Sequence, residues 1–256
     1  MNEAIGEHWL LLRGLARESA HWGDFVPLLQ AAFPTATITM LDLPGTGCWY
    51  QETSPATIRE IVEIVRRQAL TQGVLEQPIT LLALSLGGMV GWEWMQRYPR
   101  DIAAACLINT SFADLNPAYQ RMRWQSLGKI FNIARLSDNV ERELTIVQLI
   151  SNRRDHDQAI AHAWAALDEL RPISAANRLR QIIAAARYKP GNMKPQVPVL
   201  LLNSSTDRLV AAACSETIQQ KWQLPIRRHP WAGHDLPLDD GEWVVTQLQA
   251  WVEAKI

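Results

Sequence analysis

Short, nearly unbroken apolar runs recur along the chain at His8–Leu12, Thr37–Leu41, Ile79–Leu84, Ile102–Asn109, Val197–Asn203 and, more weakly, Pro225–His229. Runs of this length without polar alternation read as strands buried on both faces. Stretches of helical spacing separate them. Ile58, Ile61, Val62, Val65 and Leu70 fall close to one helical face. Leu86–Tyr98 continues as far as Pro99, where a helix commonly ends. Strands alternating with helices predict an α/β fold with a mostly parallel sheet of about six strands and helices on both faces. The stretch 114–195 breaks this rhythm. Helical patterns at Asn139–Ile150, Gln158–Leu170 and Ala175–Tyr188 follow one another without a strand, over a length too great for a plain crossover. The chain is therefore read as a core of residues 1–113 and 196–256, with 114–195 inserted as a helical cap.

The third strand ends in Leu81-Leu82-Ala83-Leu84-Ser85-Leu86-Gly87-Gly88. An apolar strand that turns at once into a helix exposes its turning residue at the end of the sheet, and small residues at Ala83 and Gly87 let the turn be sharp. That is the pattern of a nucleophile elbow, G-x-S-x-G, with Ala83 in the first glycine position. Alone, the stretch reads equally as a plain turn. A serine nucleophile also needs a base, and the base needs an acid to orient it. Asp207 lies in the polar loop after the Val197–Asn203 strand, and His234 follows Gly233 in the loop after Pro225–His229. The order Ser85, Asp207, His234, each after a strand, is the order of α/β-hydrolases and not that of chymotrypsin or subtilisin.

With these motifs the chain resembles the α/β-hydrolase superfamily, in particular its small cytosolic serine esterases, including carboxylesterases and carrier-protein methyl ester esterases. The matching segments are Leu12-Arg13-Gly14, Leu41-Asp42-Leu43-Pro44-Gly45-Thr46-Gly47, Ala83–Gly88, Thr206-Asp207-Arg208-Leu209-Val210 and Gly233-His234-Asp235. The resemblance implies a triad of Ser85, Asp207 and His234, and an oxyanion hole of the Leu15 and Leu86 backbone N–H groups. It also implies that Asp42 fixes the turn after the second strand, and it leaves Asp114 as an alternative acid. The family's first loop begins His-Gly, whereas here it begins Arg13-Gly14. Arg13 brings a permanent charge and is expected to brace the loop through Glu18 or Asp42, or else to touch an anionic substrate group. Asp235 reads as a surface or loop acid. The family usually has two further strands before the first one here, so the sheet is expected to be trimmed to six.

Composition narrows the remaining choices. A net charge of −1 lacks the basic excess of nucleic-acid binders, and no apolar run is long enough to span a membrane. Three cysteines, Cys48, Cys106 and Cys214, read as reduced thiols of a cytoplasmic protein, and Met1–Glu7 has no signal-peptide plan. No His, Cys or acid spacing suggests a metal site, and no cofactor is implied. Of 11 tryptophans, Trp49, Trp124 and Trp164 are the candidates for an apolar substrate pocket. Residues 114–195 hold 13 Lys and Arg against 8 Asp and Glu, which suggests helix faces in water or a surface for an acidic carrier protein. The expected activity is hydrolysis of carboxylic esters with small or medium acyl groups. Thioester or carrier-protein ester cleavage is the alternative, as is a ligand receptor without turnover. Oligomeric state is left open.

Overall fold

The computed structural model describes residues 5–254, so Met1–Ala4 and the last two residues lie outside the described residues. Six strands form one parallel sheet: β1 (His8–Leu12), β2 (Thr37–Leu41), β3 (Ile79–Leu84), β4 (Ile102–Ile108), β5 (Val199–Ser204) and β6 (Ile226–His229), in the order β2-β1-β3-β4-β5-β6. The expected parallel sheet of six strands is what forms among the described residues. Between the strands run α1 (Phe25–Ala32), α2 (Ile58–Thr71), α3 (Leu86–Arg97), α4 (Ala118–Arg121), α5 (Leu127–Arg135), α6 (Asn139–Ile150), α7 (Asp157–Leu170), α8 (Ala175–Arg187) and α9 (Ala213–Trp222). After β6 come α10 (Leu236–Asp239) and α11 (Gly241–Glu253).

The apolar runs carry no polar alternation because both faces of each inner strand are covered. Leu10, Leu12, Leu81, Ala83, Leu107 and Leu201 face a core built with α2, α3 and α9. The interleaved Trp9, Leu11, Leu82, Cys106 and Leu202 face a second core built with α1 and α11. This is the two-residue period of a strand read on both sides at once. Strands β2 and β6 are the edges, and in β2 only the last residue, Leu41, is buried. Helices α4–α8 occupy the stretch between β4 and β5. Val147, Leu149, Ile150 and Trp164 give α6 and α7 a small core of their own.

An aromatic cluster anchors the end of this helical insertion to the sheet. Trp92 of α3 lies 4.5 Å from Trp222 and 5.1 Å from Phe112, measured between ring centroids, and Phe112 meets Tyr188 at 5.6 Å. Trp92 is fully buried. We predict that Trp92→Ala lowers unfolding free energy by about 3–5 kcal/mol in denaturant titration. A loss under about 1 kcal/mol would show that the cluster relaxes around the cavity.

Candidate active site

Ser85 joins β3 to α3 with φ 56° and ψ −113°. Positive φ is strained for a residue with a Cβ, so the neighbours must hold it. The Ser85 N–H donates to the Ile108 carbonyl at 2.8 Å, and the Thr110 hydroxyl donates to the Ser85 carbonyl at 2.9 Å. Two glycines let the surroundings close in. A Cβ on Gly87 would lie 2.6 Å from the Leu12 carbonyl oxygen and 2.7 Å from that of Arg13, so only glycine lets α3 start this close to the end of β1. A Cβ on Gly14 would lie 3.2 Å from Ser85 Cβ and 3.7 Å from its Oγ. The loop after β1 thus lies directly beside the serine. Ala83 sits in β3, paired with Leu12 and Leu107, and not in the turn itself. Among the described residues, neither the Leu15 nor the Leu86 N–H has a backbone or side-chain acceptor.

His234 and Asp207 come together from the loops after β6 and β5. Nδ1 of His234 lies 2.7 Å from Asp207 Oδ2, and both side chains are buried. The other carboxylate oxygen accepts the Leu209 and Val210 N–H groups at 2.7 and 2.9 Å, which fixes the acid's orientation. A proton shared at Nδ1 leaves Nε2 as the free acceptor. Burial works against charging His234, but the Asp207 carboxylate and its hydrogen bond, helped by Asp235 and opposed by Arg13, raise its pKa above the ordinary 6.5. Asp114 is not at the imidazole and lies 3.8 Å from Lys221 instead.

Arg13 does brace the loop, but through neither expected acid. Its guanidinium makes a bidentate pair with Asp235 and lies 4.8 Å from the Trp22 ring centroid. Asp235, read from the sequence as a surface or loop acid, is only 1% exposed. Adjacent residues point apart, as expected, and that is why Asp235 reaches Arg13 while His234 reaches Asp207. The two other acids are engaged elsewhere. Glu18 pairs with Arg171, and Asp42 accepts from Ser19 N–H and Oγ, both at 2.6 Å, and from Cys48 N–H at 2.9 Å. The turn-fixing role expected of Asp42 is therefore in place.

Three supporting residues escaped the sequence reading. Asn109, at φ 47°, donates to the His234 carbonyl at 2.9 Å and accepts the Ser204 N–H at 2.9 Å. Asp239 accepts the Gly233 N–H at 2.5 Å and the Ser151 hydroxyl at 2.5 Å, joining the histidine loop to the end of α6. Gln181 of α8 accepts the Ala16 N–H at 2.9 Å and donates to the Pro44 carbonyl at 3.4 Å. A polar residue at a strand end or on an inward helix face is the only signal the sequence offers for each.

The substrate-pocket candidates separate. Trp164 is buried, with its ring 4.9 Å from His21 and 4.5 Å from the Arg17 guanidinium carbon. Trp49 is half-buried, and Trp124 is 65% exposed. Cys48 is exposed, and partial desolvation with the Asp42 carboxylate pushes its thiol up to about 11, so it is no thiolate nucleophile. Open clefts at Tyr50–Thr53 and Thr53–Ala56, bordered by Arg180, include none of Ser85, Asp207 and His234. Among the described residues, no group of three or more His, Cys, Asp and Glu side chains is placed to hold a metal ion, and no helix is long and apolar enough to cross a membrane.

A sequence model of the Alpha/beta hydrolase family matches residues 9–247. A pimeloyl-[acyl-carrier protein] methyl ester esterase of Neisseria meningitidis is 25% identical over 217 residues, covering 82% of this chain and 79% of that protein. An esterase from Exiguobacterium antarcticum superposes with a TM-score of 0.75 at 15% identity, covering 98% of this chain and 93% of that one. An esterase from Rhodococcus sp. ECU1013 also superposes with a TM-score of 0.75 at 15% identity, covering 100% and 93%. At such identities these two superpositions speak for the fold alone.

The Arg13–Asp235 pair gives a stability prediction. Both groups are out of water, so removing one strands the other. We predict that Arg13→Met and Asp235→Leu each lose about 3–5 kcal/mol by denaturant unfolding, and that the double variant recovers most of the loss. Additive losses in the double variant would show that the two groups are not energetically a pair.

Proposed function

The chain belongs to the alpha/beta hydrolase family, and from that premise we propose that it is a serine hydrolase cleaving carboxylic esters of small or medium acyl groups through an acyl-enzyme on Ser85. The observation that carries the reading is the buried 2.7 Å contact of His234 with Asp207. It stands in the chain order of the family, with a strained Ser85 beside the loop of Gly14.

In this mechanism Ser85 Oγ forms a bond to the ester carbonyl carbon while its proton passes to His234 Nε2. Asp207 holds the imidazole in the required tautomer and stabilises its cation. The carbonyl π pair moves onto oxygen, where the Leu15 and Leu86 N–H groups receive the developing charge. Their freedom from internal acceptors supports this role. As the tetrahedral adduct collapses, the C–O bond to the alcohol breaks and the alcohol leaves with the proton from His234. Water then attacks the acyl-enzyme, gives its proton to His234, and the carboxylic acid departs as Ser85 recovers its proton. The three free cysteines support a reducing, cytoplasmic setting.

A second reading, cleavage of an ester carried on a protein, draws on the Neisseria meningitidis relative. The cationic residues it would use are fewer than the sequence suggests. Arg121 donates to the Ala185 and Ala186 carbonyls and Arg123 to that of Asp207, while Arg153 and Arg154 pair with Asp155 and Asp157. Lys129, Arg135 and Arg187 are exposed and carry no ion pair among the described residues.

We predict turnover of p-nitrophenyl esters between acetate and decanoate that Ser85→Ala abolishes without lowering the melting temperature, and that Asp207→Asn reduces about 10⁴-fold in kcat. Retained activity in Ser85→Ala would overturn the assignment. Activity confined to a carrier-bound ester would select the second reading. The base must be neutral to accept the serine proton, so kcat/KM should fall as pH drops through the His234 pKa. Because that pKa is raised, the acid limb should lie above pH 6.5. An acid limb below 6.5 would contradict the paired environment of His234.

A further inference from the structure

Charged side chains from the insertion close over the loop after β1 in unequal numbers. The Arg17 N–H donates to the Gly14 carbonyl at 3.3 Å, so Arg17 belongs to the loop that abuts Ser85. Its guanidinium donates to Glu143 of α6 at 2.8 Å and lies against Trp164. Arg142 of α6 donates to Asp168 of α7 at 2.6 Å. Arg178 of α8 sits in the field of all four of these charges. Its guanidinium has no hydrogen bond or ion pair among the described residues.

The charges do not balance. Glu143 answers Arg17, Asp168 answers Arg142, and Arg178 is left over. His21, which contacts Arg17, adds no positive charge to this group, because burial and the nearby arginines hold its pKa well below the ordinary value. Burial, followed by Arg142 and Arg17, lowers the pKa of Arg178, the direction expected of a cation short of acceptors. The guanidinium is half-buried, so a solute can still reach it. Its place on α8 is also defined. Asn177 beside it and Gln181 one turn on are buried, and Gln181 bonds the Ala16 N–H in the Leu15 loop. Arg178 therefore flanks the buried face of α8, whose Gln181 holds the candidate oxyanion loop, on the side where it meets the charges of Arg17, Arg142, Glu143 and Asp168.

We propose that Arg178 receives an anionic group of the substrate, a carboxylate or a phosphate, at the end remote from the ester that Ser85 attacks. The proposal rests on the esterase reading and deepens it by naming a substrate class. A planar guanidinium presents paired N–H donors to either anion, and the bond is stronger where water is partly excluded. One bound carboxylate would bring three cations and two carboxylates to neutrality, and a phosphate would carry the sum past it. A neutral substrate would leave the excess charge unanswered.

The test compares p-nitrophenyl valerate with mono-p-nitrophenyl glutarate, which have equal acyl length and differ in a terminal carboxylate. The wild type is expected to favour the glutarate by about tenfold or more in kcat/KM, chiefly through KM. In Arg178→Gln that ratio should fall toward one, and Arg178→Lys should keep part of it. An equal ratio in wild type and Arg178→Gln overturns the proposal. Binding without turnover separates this from failure of the esterase reading. Glutarate and glycerol 3-phosphate are each titrated into Ser85→Ala, with and without Arg178→Gln, and melting temperature is followed. Stabilisation by one anion that requires Arg178 supports the site and tells carboxylate from phosphate, even if no ester is turned over. No Arg178-dependent shift with either anion counts against it.

Discussion

The site depends on how closely α3 approaches the end of β1. With no Cβ at Gly87, the helix begins against the carbonyl oxygens of Leu12 and Arg13, at distances no side chain would tolerate. That contact sets the start of α3, and the start of α3 sets the left-handed backbone of Ser85. It also brings Gly14 beside the serine, so the loops after β1 and β3 meet at one point. Strain in a turn persists only where its surroundings over-determine it. Here the Ile108 carbonyl, the Thr110 hydroxyl and the packing of Gly87 and Gly88 all bear on the same residue.

Strand pairing alone does not place loops to the precision that the proposed proton transfer would require. Buried polar side chains supply the rest, nearly one for each loop at this end of the sheet. Asp42 ties the loops after β1 and β2, Asn109 ties β5 to the histidine loop, and Asp239 ties that loop to α6. Arg13 and Asp235 then join the first loop of the core to the last, 222 residues apart in sequence. In a medium of low dielectric such bonds are strong when satisfied and costly when broken, which favours a single arrangement. The same pair stands next to His234 with both signs of charge, so it adds little net field to the imidazole while fixing where the loop runs. An unpaired Asp235 or Arg13 would do neither.

The strands and the order of Ser85, Asp207 and His234 were legible because each rests on local pattern. An apolar run bounded by turn residues announces a buried strand, and a serine before glycines at its end announces an elbow. The strand ends moved by one or two residues, with β5 running to Ser204 and β4 stopping at Ile108, because hydrogen-bond partners and not hydropathy decide where pairing stops. Helix α1 was not resolved from sequence, since an eight-residue element carrying Pro27 has little periodicity to show. The partner of Arg13 was not legible at all. Glu18 and Asp42 were nearer in sequence, and only the folded sheet brings Asp235 across. Asn109, Gln181 and Asp239 were missed for the same reason, since each acts through contacts with residues remote in the chain.

What the shared fold leaves undetermined falls to the insertion. Proteins at 15% identity superpose on this chain with a TM-score of 0.75, so the sheet and its loops cannot by themselves choose a substrate. Residues 114–195 hold 13 Lys and Arg against 8 Asp and Glu, but that excess is a poor guide as a sum. Several of its arginines are matched by neighbouring carboxylates or backbone carbonyls, and exposed pairs in water contribute little. A cation matters in proportion to how poorly water can answer it. By that measure the exposed Lys129 and Arg135 are weak determinants, whereas the half-buried, unpartnered guanidinium of Arg178 is a strong one. Specificity in this molecule is therefore a question of which charges the helical insertion leaves uncompensated close to the core, and not of how many it carries.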